Sequence, residues 1–279
     1  MAAMLAGLCW AGHSNPRHIR NFCVPKFGRR HGLPQKSIEN VDVREGDEAR
    51  ARMFAEKLNL TNAGIERVYC VTTSRASCIP SKIIFVDDLI AAKEQILDLP
   101  AEVLVVDTVG NDLAALTVFD EQRTLELANK VHTFLTEMAK KFTLVIVNAS
   151  ISCRTGGLRG CTRETFFRNS ESYNHYLEAV IKSRVFDPLE RIQFNPLTPY
   201  RFKQVEQASD RPAPKIPADD REMLKDSIHP WEEYYIQRVR GFIFDHLHWA
   251  KAGVPKPKKR RRLSRAEKSN NTRVRLGMK

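Results

Sequence analysis

The chain has 279 residues, 42% hydrophobic and 28% charged, with 13 Gly, 14 Pro and 6 Cys. Those proportions exclude a collagenous, low-complexity or disulfide-scaffold protein, and the length suits one large α/β domain. The net charge of +12 is concentrated at one end: residues 251–279 hold 12 Lys/Arg and a single acid, Glu267, so residues 1–250 are close to neutral. A cationic cleft built into the fold would spread its charge differently.

Residues 1–12 are apolar and resemble a short signal peptide, but they lack a basic leading segment and are better read as a strand. Further short β-branched runs follow at 67–72, 102–107, 143–148 and 191–195, after a first run at 4–10. Val103 to Val106 and Leu144 to Val147 show no polar alternation, so both faces of those strands should be covered. Between them lie helical stripes: Leu127, Val131, Phe134, Leu135 and Met138, then Phe166, Tyr173, Leu177, Val180 and Ile181. A charged helix is expected around 45–58, and a last helix over about 232–249 with Ile236, Val239, Ile243 and Leu247 on one face. Residues 196–225 are Pro-rich and read as a surface loop.

Strands alternating with helices predict a parallel sheet flanked by helices. The expected organisation is one domain over 1–250 and a basic, disordered tail over 251–279. No apolar run reaches the roughly 18–20 residues needed to span a bilayer. The cysteines (Cys9, Cys23, Cys70, Cys78, Cys153, Cys161) form no C-x-x-C pair and no zinc spacing, and Cys9 and Cys70 lie in apolar runs. A reducing, intracellular setting is expected. Neither a phosphate-binding loop nor a G-x-G-x-x-G fingerprint is present; Gly156, Gly157 and Gly160 follow a strand without the right spacing. No cofactor and no metal are expected.

Ligands of an open parallel sheet bind beyond the carboxyl ends of its strands. There the first run leads into Gly12-His13-Ser14, the third into Val109-Gly110-Asn111-Asp112, and the last helix is preceded by Asp226-Ser227-Ile228-His229. A hydroxyl, an amide and a carboxylate–imidazole pair therefore fall on one edge. In that order the three blocks resemble those of the SGNH (GDSL-type) hydrolase superfamily, with His13 where Asp is commonest. The resemblance covers roughly residues 3–250. It implies a three-layer α/β/α sandwich around a central, mostly parallel five-stranded sheet of SGNH/flavodoxin-like type, and a cofactor-free serine hydrolase acting on a small ester or O-acetyl group.

The chemistry needs these residue types. Ser14 would attack once His229 takes its proton, while Asp226 orients the imidazole and stabilises its cation. Asn111 and the Ser14 backbone N–H would donate to the oxyanion; Asp112 is expected to be structural. Taken singly, Ser14 before Asn15-Pro16 also suits a helix N-cap. A second D-x-x-H, Asp245 and His248, falls within the last helix and reads as a surface pair.

Two departures from the family pattern bear on activity. The second block normally supplies a glycine N–H, yet Val71 to Ser77 contains no glycine; Ser74 or Arg75 would occupy that oxyanion position. Val109 replaces the first glycine of the third block, where a Cβ disfavours positive φ. Reduced turnover is therefore expected. The competing reading is a catalytically degenerate SGNH-like binding module. Its tail, with Lys256, Lys258, Lys259, Arg260, Arg261 and Arg262 close together, would serve nuclear import or nucleic-acid association.

Overall fold

The computed structural model describes residues 7–13, 15–16, 19, 23, 47–72, 93–107, 109–183, 191–197, 224, 228–230 and 232–252. Ser14, Ser74, Arg75, Asp226 and residues 253–279 of the basic tail lie outside the described residues, whereas Lys251 and Ala252 are helical.

Five strands, β1 (Leu8–Gly12), β2 (Val68–Thr72), β3 (Val103–Asp107), β4 (Leu144–Asn148) and β5 (Ile192–Asn195), form one sheet in the order β2-β1-β3-β4-β5. Every pairing is parallel. The β1 run thus sits later than the expected 4–10, carrying Gly12 to its last position. The intervening helices are α1 (Asp47–Lys57), α2 (Lys93–Asp98), α3 (Gly110–Ala114), α4 (Glu121–Met138), α5 (Arg163–Lys182) and α6 (Glu232–Ala252). Asn15, Pro16, Ile19 and Cys23 are also helical.

Unbroken apolar runs make the central strands fully buried, and alternate side chains serve two cores. Cys9, Ala11, Leu104, Val106, Val145 and Val147 pack against α3, α4 and α5, including Leu127, Val131 and Tyr173. Leu8, Trp10, Val103, Val105 and Ile146 face the opposite layer, where α1 gives Phe54 and α6 gives Tyr235, Val239, Ile243 and Leu247. Trp10 stacks between Phe54 and Tyr235 with ring centroids 6.4 and 5.9 Å away. Sheet and flanking helices are the α/β/α sandwich expected. Val180 and Ile181, at the end of the α5 stripe, are only half-buried.

Helix starts follow from local chemistry. Asp120 accepts from the Arg123 N–H at 2.9 Å to cap α4, and Thr162 accepts from the Thr165 N–H at 3.1 Å to cap α5. Among the described residues no helix is long and apolar enough to cross a membrane.

Candidate active site

Parallel register makes the last rung of the sheet readable as a row: Thr72, Gly12, Asp107, Asn148 and Asn195. Gly12 is required there. A Cβ on it would lie 2.7 Å from Asp107 Cβ, 2.8 Å from the Asp107 carbonyl oxygen and 2.9 Å from Pro16 Cγ. The close approach explains the first residue of Gly12-His13-Ser14.

Asp107, Asn148 and Asn195 of that row belong to a buried polar network. Trp10 Nε1 donates to Asp107 Oδ2 at 2.5 Å, and Asn148 Nδ2 donates to Asp107 Oδ1 at 3.1 Å and to the Tyr235 hydroxyl at 3.2 Å. Asn195 Nδ2 donates to Asn148 Oδ1 at 2.8 Å. Burial pushes the Asp107 carboxyl up to about 7, against the lowering effect of the hydrogen bonds from Trp10 and Asn148.

Above this row lies a small pocket of about 50 Å³ beyond the carboxyl ends of β1, β3 and β4, lined by His13, Asn15, Asp107, Gly110, Asn111, Ala149, Ser150, Ile151, Arg154, Phe166 and Ile228. It adjoins the β1/β3 switch point, where open α/β sheets take their ligands. Burial, then the positive charges of Arg154 and Arg159, lower His13 to about 3, so its ring is neutral at physiological pH. The Ser150 hydroxyl is buried in the pocket wall and has no hydrogen-bond partner among the described residues.

Asn111 enters from α3. Just before that helix, Val109 adopts φ 44, ψ 1, the left-handed region, while its side chain is fully buried. A left-handed L-residue costs roughly 1–2 kcal/mol. Burying the valine side chain contributes about 1.5–3 kcal/mol, which is how a β-branched residue holds a position suited to glycine. Val109 thus makes this left-handed turn without a glycine.

The loop after β4 closes the pocket. Arg154, only 8% exposed, donates from Nε to the Gly156 carbonyl at 2.8 Å and from Nη2 to the Gly157 carbonyl at 2.9 Å. Its Nη1 reaches the Gly110 carbonyl at 3.0 Å and Asn111 Oδ1 at 3.2 Å. Gly157 sits at φ +62, and a Cβ on it would be 2.6 Å from Arg154 Nη2. Gly157 and Gly160, at φ 62 and 91, both take the left-handed region in this loop.

The loop before α6 also reaches the pocket. Leu224 and Pro230 form an isolated antiparallel bridge, and Leu224 packs on Cys153. Ile228 lines the pocket beside its neighbour His229, which is half-buried but not itself in the lining. Of the expected site residues, Asn111 lies in the pocket and His229 adjoins it. The Ser14 neighbours His13 and Asn15 line it, whereas Ser14 and Asp226 are outside the described residues. Asp112 is buried at the base of α3, and Asp245 is exposed on α6. Arg154, Asp107 and Ser150 were missed. Only Arg154 had a sequence signal, an arginine two residues before the paired glycines Gly156 and Gly157 in a post-strand loop.

No protein-family model and no curated protein matches the chain. Among solved structures it is similar to a variant of an acetyl-xylooligosaccharide esterase from Geobacillus stearothermophilus, at 12% identity and TM-score 0.48, over 93% of this chain and 100% of that one. A catalytic mutant of an acetylxylan esterase from that organism gives 11% identity and TM-score 0.47 over 93% and 100%. The acetylxylan esterase itself gives 11% and 0.43 over 92% and 100%. Likenesses of that size do not decide the chemistry of this chain, which rests on its own residues. Together, sheet order and pocket define an α/β protein with a small pocket at its switch point.

Proposed function

We propose that the chain is a serine hydrolase of SGNH type, cleaving a small ester or O-acetyl group. Ser14 is the nucleophile, His229 the base and Asp226 its orienting carboxylate. Asn111 Nδ2 and the Ser14 N–H receive the oxyanion. The observation that carries this reading is that Asn111 lines one switch-point pocket together with His13, Asn15 and Ile228. Attack of the Ser14 oxygen on the ester carbonyl forms the acyl-serine and releases the alcohol, protonated by His229. Water, deprotonated by the same imidazole, then releases the acid.

Hydrolysis of p-nitrophenyl acetate by wild type, Ser14→Ala, His229→Ala and His248→Ala tests the assignment. Activity lost with Ser14→Ala and His229→Ala, and kept with His248→Ala, is expected. Wild-type rates in Ser14→Ala would overturn it. The glycine-free second block lowers turnover, so Ser74→Gly or Arg75→Gly should raise kcat with little change in KM.

The absence of a glycine between Val71 and Ser77 favours a second reading, a degenerate binding module. Failure of a fluorophosphonate probe to label Ser14 would select it. In either case the tail, with Lys256, Lys258, Lys259, Arg260, Arg261 and Arg262, is proposed to direct nuclear import or to bind nucleic acid. Truncation after Ala252 should abolish nuclear accumulation of a fluorescent fusion and salt-sensitive RNA or DNA binding while sparing hydrolysis. A truncated fusion that localises and binds like the full chain would remove that role.

A further inference from the structure

An asparagine amide can sit either way round in a site, because its oxygen and nitrogen are nearly isosteric. Which atom faces a bound carbonyl decides whether it attracts or repels a developing oxyanion. At Asn111 the choice is made from behind. Guanidinium nitrogens only donate, and Arg154 Nη1 lies 3.2 Å from Asn111 Oδ1. Turning the amide over would set N–H against N–H.

The fork cannot follow such a turn, because three backbone carbonyls (Gly110, Gly156 and Gly157) hold its Nη1, Nε and Nη2 at 2.8–3.0 Å. Arg154 is buried, and its guanidinium carbon lies 5.7 Å from the centre of the Phe166 ring. Gly157, whose Cβ would collide with Nη2, leaves room for it.

Resting on the assignment of Asn111 to the oxyanion site, we propose that Arg154 is a positioning residue that fixes the Asn111 amide with Nδ2 toward the reacting carbonyl. Its positive charge behind the amide also polarises that donor in a low-dielectric wall. The alternative role for the same bonds is only to clasp the 149–162 loop to the start of α3. The two roles differ in coupling. A positioning residue acts through Asn111 and has nothing to do once that amide is gone; a clasp acts regardless.

The test is a double-mutant cycle on p-nitrophenyl acetate. Asn111→Ala should lower kcat by about 10²–10³, as loss of an oxyanion donor does. Arg154→Lys, which keeps the charge but not the fork, should lower kcat at least about tenfold with KM nearly unchanged. In the Asn111→Ala background it should add less than about twofold. An equal fold-loss in both backgrounds would overturn the proposal. Should Arg154→Lys not fold, Gly157→Ala displaces the fork and provides the same comparison.

A readout without turnover separates this idea from the hydrolase reading. The Asn111 side-chain NH2 signal in a 15N spectrum, identified by its loss in Asn111→Ala, should shift in Arg154→Lys while the rest of the spectrum stays dispersed. An unmoved signal refutes the positioning, whatever the esterase assay gives. A shifted signal with equal rates in wild type and Ser14→Ala keeps it and rejects the hydrolase.

Discussion

Two neighbouring rungs of the sheet are built for different ends. The row Val71, Ala11, Val106, Val147 and Phe194 is wholly apolar, and one residue later Thr72, Gly12, Asp107, Asn148 and Asn195 is polar or glycine. The first row contributes by burial, about 25 cal/mol per Å² of apolar surface. The second is just as deep at Asn148, which is 0% exposed, and stabilises only while each polar group has its partner. A fold can therefore pass from packing to a polar site within about 3.3 Å of strand. The cost is sensitivity to any single missing partner.

The sharpest way to break the contrast is Asn148→Ala. It strips Asp107 Oδ1 and the Tyr235 hydroxyl of a donor and leaves Asn195 Nδ2 without its acceptor. A loss of about 3–5 kcal/mol is expected in urea unfolding, against about 2 kcal/mol for Val147→Ala one residue earlier. Equal losses would mean that the polar row is no more demanding than the apolar one.

Next comes Gly12→Ala. Its methyl would press on Asp107 and Pro16, and overpacking of that kind costs about 1–3 kcal/mol. A variant as stable as wild type would show that β1 and β3 can move apart at their ends.

Titration gives the third test. The native state holds the Asp107 proton up to about pH 7, whereas an unfolded carboxyl loses it near 4. Ionisation of Asp107 therefore removes stability as pH rises through that window, at up to about 1.4 kcal/mol per pH unit. His13 works the other way: the native ring stays neutral down to about 3, so stability falls as pH drops below its unfolded value of 6.5. From pH 4 to 6.5 the two oppose each other. Asp107→Asn should expose the His13 slope, its stability rising with pH over this range relative to wild type. Parallel stability curves from pH 4.5 to 6.5 would contradict the buried-carboxyl argument.

The smallest effect is expected at Val109→Gly. Relief of left-handed strain, about 1–2 kcal/mol, is offset by lost side-chain burial and greater chain entropy. A net destabilisation near 1 kcal/mol should appear as a shift of a few degrees or less in Tm. A stabilised variant would show that strain outweighs burial at this turn.

Much of this architecture is determined by the sequence alone, because hydrophobic periodicity is local. The unbroken runs at Val103 and Leu144 required strands covered on both faces, the stripes of α4 and α6 required buried helix faces, and the position of Asn111 just after a strand placed it at the binding edge. Strand order and register, by contrast, depend on which runs meet across the chain. That tertiary pairing aligned Asp107 with Asn148 and Asn195, brought Trp10 to Asp107, and set Ile228 beside Gly157. Arg154 shows the same division most clearly. Its charge suggests an exposed loop residue, and only the folded loop, with Gly157 at positive φ, surrounds it with the Gly110, Gly156 and Gly157 carbonyls and turns it toward Asn111. Periodicity travels a few residues along a chain, whereas the bonds from Trp10 and Asn148 to Asp107 and from Arg154 to Asn111 join residues 41 to 97 positions apart, and only their close packing in the fold makes them.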